Sequence, residues 1–251
     1  MVTDLPRVLA LLWRRDEPGR RGPKPRHTIN DIGAAAVAIA DADGLDAVSM
    51  ARVAQHVGLT TMALYRYVDS KDDLILAMVN EAYGMPPPAR RSNAGWRTKL
   101  ARWATANRDA LRRHPWIVQI PINEPPLAPA PLRWMERGLA AFDGTALTQQ
   151  DRLSSLLLAE VYVRGQTQLS SQLAATDPAA ARAADELYGR RLGELLDEDE
   201  FPFVSTALGS GSLTDSGGDF ADDEFLFGLQ TVLDGIAALV ERREAGHRQR
   251  Q

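Results

Sequence analysis

Residues 47–71 read AVSMARVAQHVGLTTMALYRYVDSK, two short helical patterns meeting at a tight turn. Met50, Val53, Ala54 and Val57 recur at i, i+3, i+4 and i+7, which predicts a first helix from Met50 to Val57. Ser49 offers the hydroxyl of an N-cap. Gly58 suits the left-handed residue that closes a helix, with Leu59 tucked back into the core. Thr60 or Thr61 caps a second helix in which Ala63, Leu64 and Val68 supply only a thin apolar face. Thr61, Met62, Tyr65 and Arg66 are left on the other face, with Tyr67 beside them and Lys71 four residues on. This is the layout of a helix-turn-helix, whose second helix enters the DNA major groove. Hydroxyls donate to phosphate oxygens and Lys71 adds a point charge. Arg66 reaches a guanine edge or a phosphate, and Met62 and the Thr61 methyl fit thymine methyls. The bland alternative is a helical hairpin whose tyrosines pad a core.

The flanks extend the pattern into a small domain. Upstream, Ile29, Ile32, Ala36, Ile39 and Ala40 mark an amphipathic helix, with Thr28 and Asp31 as a cap pair and Gly44 as its end. Downstream, Ser70-Lys71-Asp72-Asp73 resembles a capping box with Asp in place of Glu. It opens a helix with Leu74, Ile75, Met78 and Val79 inside, stopped near Gly84 by Pro86-Pro87-Pro88.

Residues 27–84 resemble the DNA-binding domain of the TetR family of bacterial transcriptional regulators. The segments that carry the resemblance are AAAVAIADADGLDAVSM, VAQHVGLTTMALYRYV and SKDDLILAMV. The rest of the chain resembles, more weakly, a tetracycline-repressor type of regulatory domain, including the closing FLFGLQTVLDGIAALVERR. The resemblance implies an all-α fold: a three-helix helix-turn-helix head joined by a fourth helix to a larger ligand-binding and dimerisation domain. It implies a homodimeric repressor that binds a near-palindromic operator and is released by a small molecule. Thr60, Thr61, Met62, Tyr65, Arg66 and Tyr67 match recognition-helix positions that touch DNA, and Lys71 matches a phosphate-contacting lysine. Ser49 and Arg52 match positions near the DNA backbone. The family's best-known member reads a base with an arginine where this chain has Ala51, so that operator does not carry over.

Charge is uneven along the 251 residues, whose formal net charge is −4. Between Arg7 and Arg26, the seven basic residues Arg7, Arg14, Arg15, Arg20, Arg21, Lys24 and Arg26 face only Asp16 and Glu17. We read residues 1–26 as a basic arm, residues 27–84 as the DNA-binding domain and residues 85–251 as the ligand-binding and dimerisation domain. Within the arm, Arg20, Arg21, Lys24 and Arg26 have the character of a minor-groove or phosphate-tracking segment; a solvated tail is the alternative. Leu5 to Trp13 is either a short helix or a loose apolar arm. No apolar run approaches the ~20 residues that cross a bilayer. The absence of cysteine excludes disulfides and cysteine metal sites and fits a cytoplasmic protein. No cofactor or metal is expected.

The larger domain reads as six helical segments, near 95–114, 115–122, 131–142, 148–173, 177–196 and 222–243, with a flexible Gly/Ser/Asp stretch over 204–219. Asp177-Pro178 reads as an N-cap with proline at the first helical position. In the last helix Phe225, Leu229, Val232, Ile236 and Leu239 step by 4, 3, 4 and 3, a coiled-coil-like seam. With Leu157 and Val161 of the 148–173 helix they are the expected dimer interface; burial within one chain is the alternative. Trp103, Trp116, Trp134 and Tyr162, with Asn107 and Gln166 as polar anchors, are the expected lining of a pocket for an apolar or aromatic effector. A helical enzyme and a metabolite-binding protein that ignores DNA are the rival classes. No G-x-S-x-G, H-E-x-x-H or complete G-x-G-x-x-G supports an enzyme.

Overall fold

The computed structural model describes residues 5–13, 27–88, 93–173, 178–212 and 220–249, and among them the fold is helical throughout. The head comprises α1 (Arg7–Leu12), α2 (Ile29–Asp43), α3 (Met50–His56), α4 (Thr61–Leu64) and α5 (Lys71–Tyr83). The body comprises α6 (Trp96–Arg113), α7 (Pro129–Leu139), α8 (Gln149–Leu173), α9 (Pro178–Leu195), α10 (Pro202–Gly209) and α11 (Phe220–Arg248). A 3-10 turn, Pro115–Gln119, follows α6.

Local chemistry sets the head's boundaries. Thr28 and Asp31 form a complete capping box, with Asp31 N–H donating to the Thr28 hydroxyl and Thr28 N–H donating to the Asp31 carboxylate at 2.7 Å. Ser70 caps α5 through Asp73 N–H at 3.1 Å, but the box is displaced by one residue: the Asp73 carboxylate accepts from Asp69 N–H at 2.9 Å. The α5 helix lies along α2 at close range. A Cβ on Gly33 would sit 2.7 Å from the Ala77 carbonyl oxygen, so only glycine lets the two backbones approach this far.

Of the two readings of Leu5–Trp13, the structure takes the helix. Val8, Leu9 and Leu12 are buried, and α1 packs on α2 and α5. Each fully buried aliphatic side chain contributes about 1.5–3 kcal/mol, so this segment belongs to the head's core. The remainder of the basic arm, with Arg20, Arg21, Lys24 and Arg26, lies outside the described residues, as does Asp177.

Two body elements differ from expectation. The stretch expected to be flexible begins with α10, which starts on Pro202 and packs against α9. Proline at the first turn preorganises φ without losing a helical hydrogen bond, and residues 213–219 of that stretch lie outside the described residues. The second difference concerns the seam on α11. Phe225 and Leu229 are 1% exposed and Ile236 is 2% exposed, because α11 lays this stripe against α6 and α8 of its own chain. Val232 and Leu239 are half-buried beside them. Phe225, Leu229 and Ile236, expected in the dimer seam, are therefore buried within their own chain, while Val232 and Leu239 stay partly exposed. Leu157 and Val161, by contrast, are 62% and 60% exposed on α8.

Candidate nucleic-acid interface and core polar cluster

The turn between α3 and α4 is closed by the backbone itself. Gly58 has φ +69, Leu59 N–H donates to Ala54 O at 2.8 Å and Gly58 N–H to Gln55 O at 3.1 Å, the two bonds of a Schellman ending. Thr60 then caps α4 through Ala63 N–H at 3.2 Å. This four-residue helix is held down by Leu64 and, beyond its end, Val68, both fully buried. The anchors leave the opposite face outward: Met62 is 78% exposed, Tyr65 43%, and Arg66 and Lys71 are also exposed. Thr61 is half-buried, and Tyr67 is half-buried against the core, so its ring braces the helix while its edge remains reachable.

Two sequence candidates, and one residue of the arm, take on structural duties. Ser49 caps α3 by accepting from Arg52 N–H. Arg52 pairs with Asp43 at the C-terminal end of α2, where a carboxylate opposes the helix dipole and gains from a cation. From α1, Arg7 donates to the Tyr65 carbonyl at 3.3 Å and lies 3.4 Å from the Asp69 carboxylate, bracing the recognition helix at its end.

In the body, the six residues expected around a pocket do not converge. Trp103, Trp116 and Trp134 are core residues, at most 5% exposed. Trp103 donates to Trp134 O at 2.9 Å, Trp134 to Tyr83 O at 3.2 Å and Trp116 to Asp41 at 2.7 Å. Asn107, Tyr162 and Gln166 are instead split between two polar groups, Asn107 with Glu160 across α6 and α8, and Tyr162 and Gln166 with Arg108 against α11. Asn107 donates to Glu160, while its own carbonyl oxygen is buried without a partner. Burial raises the Glu160 carboxyl above its ordinary value, against the pull of Asn107 and Arg164. Arg108, 5% exposed, pairs with Asp222 at 2.6 Å and lies 4.2 Å from the centre of the Phe225 ring. Arg108 and Gln166 donate to the same carbonyl, Ala221 O, each at 3.0 Å. Tyr162 stacks on Phe225 and its hydroxyl donates to the Phe225 carbonyl at 2.9 Å. Arg108 Nε and Gln166 Oε1 are buried and unpaired. Two surface clefts lie elsewhere among the described residues, one of about 520 Å³ between α6 and α11 and one of about 360 Å³ at Met85 and Arg133.

Comparison with known proteins matches both halves of this architecture. Residues 32–78 fit the family model described as bacterial regulatory proteins, tetR family, and residues 87–240 fit the tetracyclin repressor-like C-terminal domain. The chain belongs to the TetR family. A curated relative, the HTH-type transcriptional repressor DrrR1 of Streptomyces coeruleorubidus, is 36% identical over 96% of this chain and 88% of its own length. An HTH-type transcriptional regulator of Saccharopolyspora erythraea is 28% identical over 90% of this chain and 91% of its own. Apo ActR of Streptomyces coelicolor shares the fold, with a TM-score of 0.73 at 22% identity over 88% of this chain and 99% of that one. ActR in complex with actinorhodin gives 0.72 at 23% identity, over 86% and 99%.

As a TetR family member the protein is a DNA-binding transcriptional regulator and not an enzyme. The TetR resemblance had already pointed to the recognition helix. What sequence reasoning missed in this TetR body is charge in the interior: Glu160, Arg108 and Arg164. The signal was present for one of them, since Glu160 lies on the stripe of Leu156, Val163 and Thr167 that α8 buries. Arg164 reaches across to the carbonyls of Ile117 and Ile120 at 2.9 and 2.8 Å.

Proposed function

We propose that the protein is a cytoplasmic homodimeric repressor that binds a near-palindromic operator through α3–α5 and is released by a small, largely aromatic effector. The observation that carries the DNA reading is the set Met62, Tyr65, Arg66 and Lys71, held outward by the buried Leu64 and Val68. Met62 projects into water from a helix of four residues, with Tyr65, Arg66 and Lys71 exposed just beyond it. Thr60, Thr61 and Tyr67 flank this set, and Ser49 and Arg52 lie along its edge as phosphate-side contacts. Arg20, Arg21, Lys24 and Arg26 supply the added positive charge. A dimer spaces two such helices about 34–36 Å apart, one DNA turn.

The dimer reading rests on α8, where Leu153, Leu157, Leu158, Val161 and Leu169 are each 45–62% exposed. They form a stripe on the face away from α6, continued by Leu226 and Phe227 on α11. Stripes of this size are covered in oligomers. For the effector, the supporting features are two polar groups, Asn107 with Glu160, and Arg108 with Tyr162 and Gln166 beside the Phe225 ring, whose buried unpaired atoms offer polar anchors. A neighbour of the same fold is solved in complex with actinorhodin and with (S)-DNPA, which supports a small-molecule effector. Among the described residues no helix is long and apolar enough to cross a membrane.

A gel-shift assay on the DNA flanking the protein's own gene tests the DNA reading. Tyr65→Ala and Lys71→Ala are expected to weaken binding about tenfold each, the size of one or two lost contacts, with unchanged far-UV circular dichroism. Wild-type affinity in both variants would sink the assignment of this face.

A further inference from the structure

Three of the chain's five tryptophans place their indole N–H across the boundary between head and body. Trp13, at the end of α1, donates to Leu127 O in the loop before α7 at 2.9 Å. Trp116, in the turn after α6, donates to Asp41 on α2 at 2.7 Å. Trp134, on α7, donates to the Tyr83 carbonyl at the end of α5 at 3.2 Å. The three bonds leave from different elements and reach three separate points on the facing unit. Two further contacts lie between the same units. His114 Nδ1 is 2.9 Å from the Asp41 carboxylate, and Asn80 on α5 accepts from Ala130 N–H at 2.9 Å.

We propose that Trp13, Trp116 and Trp134 form a clasp that fixes the orientation of the DNA-binding head on the body. Three non-collinear points of attachment determine the orientation of one rigid body on another, whereas the single covalent connection near residues 84–95 does not. Each clasp residue is a rigid donor on an apolar ring, so it combines packing with one directional bond. Asp41 ties the arrangement together. It lies in the last turn of α2, where a carboxylate is disfavoured by the helix dipole, and it is held by both Trp116 and His114. The clasp residues are not among the DNA-facing set. They act by setting where the recognition helix sits, so they are positioning residues for the regulator's DNA binding. The proposal rests on the DNA reading above, because a preset head orientation matters only if two heads must meet one operator.

The internal control is Trp103. It makes the same kind of bond as Trp134, indole N–H to a backbone carbonyl, and is about as buried as Trp116 and Trp134, but its acceptor, Trp134 O, lies inside the body. Tryptophan-to-phenylalanine changes keep an aromatic ring and delete the donor. Trp116→Phe and Trp134→Phe are expected to lower operator affinity about three- to tenfold, the range available from one net hydrogen bond. Trp13→Phe is expected to do so at the lower end, and Trp103→Phe is expected to leave affinity unchanged while lowering the thermal midpoint comparably. A second readout needs no DNA. The chain has no cysteine, so Gln55→Cys on the exposed face of α3 and Asp143→Cys in the body accept spin labels cleanly. Doubly labelled chains diluted into excess unlabelled protein report the head–body distance within one chain. The distribution is expected to broaden in Trp116→Phe and Trp134→Phe and to stay narrow in Trp103→Phe. Distributions as narrow as wild type in all variants overturn the clasp, as does equal loss of operator affinity in Trp103→Phe. If the wild type fails to bind the flanking DNA, the DNA reading falls, and the distance measurement still decides the clasp.

Discussion

Glu160 shows how a single side chain can work against the fold that holds it. Its carboxyl is pushed above the ordinary glutamate value of 4.5 because burial disfavours the charge. The folded state therefore binds more protons than the unfolded one as pH rises past 4.5, and stability falls through that window until the folded-state value is passed. Glu160→Gln removes the titration and supplies an amide that can still meet Asn107. It is expected to raise the thermal midpoint at pH 7 and to reduce the loss of stability between acidic and neutral pH, the half-buried Glu81 carboxyl, also raised, leaving a remainder, measured by calorimetry across that range. A Glu160→Gln profile with the same slope as wild type from pH 4 to pH 7 would refute this. Interior charge that costs stability is common where a ligand is to be met, which is why the same residue appears in the effector reading. Asp151 is the opposite case. Paired bidentately with Arg243 and capping α8 with Thr148, it is held well below the usual carboxylate range.

Among the elements, the α2–α5 pair depends on a missing side chain. A methyl at Gly33 would stand 2.7 Å from Ala77 O and 3.3 Å from Glu81 Cβ, so backbone must move to admit it. Gly33→Ala is expected to destabilise the head by about 1–3 kcal/mol, the cost of overpacking, and to lower operator affinity without altering the body's helices. Hydrogen exchange should localise the change to α2 and α5; protection there equal to wild type would count against it. These helices and their caps were legible in sequence, because periodicity, Thr28, Ser49, Thr60, Ser70 and the turn at Gly58 all act over a few residues. The α10 helix was not, since the Gly/Ser-rich composition that follows it masked a proline start. Nor was α1 decided, because an apolar hexamer reads alike as helix or loose arm until it has a surface to cover.

For the molecule as a whole, two apolar stripes compete for the role of dimer interface, and their burial separates them. Leu157→Glu, on the exposed stripe of α8, is expected to yield a folded monomer that no longer binds a two-half-site operator, seen by sedimentation and gel shift. Phe225→Ala, on the stripe buried against α6 and α8, is expected to cost about 3–5 kcal/mol of stability and to leave any folded fraction dimeric. A Leu157→Glu protein that still sediments as a dimer would remove α8 from the interface. The sequence by itself determined the helical class, the two-part organisation and the outward face of the recognition helix, because each follows from spacing along one helix or one turn. Only the tertiary structure decided which stripe of α11 faces inward, that Trp116 and Trp134 bind the head instead of lining a pocket, and that Glu160 and Arg108 lie inside. Periodicity tells which residues share a face, but not what that face meets: the partner surface comes from helices distant in the chain, and the folded packing alone fixes it.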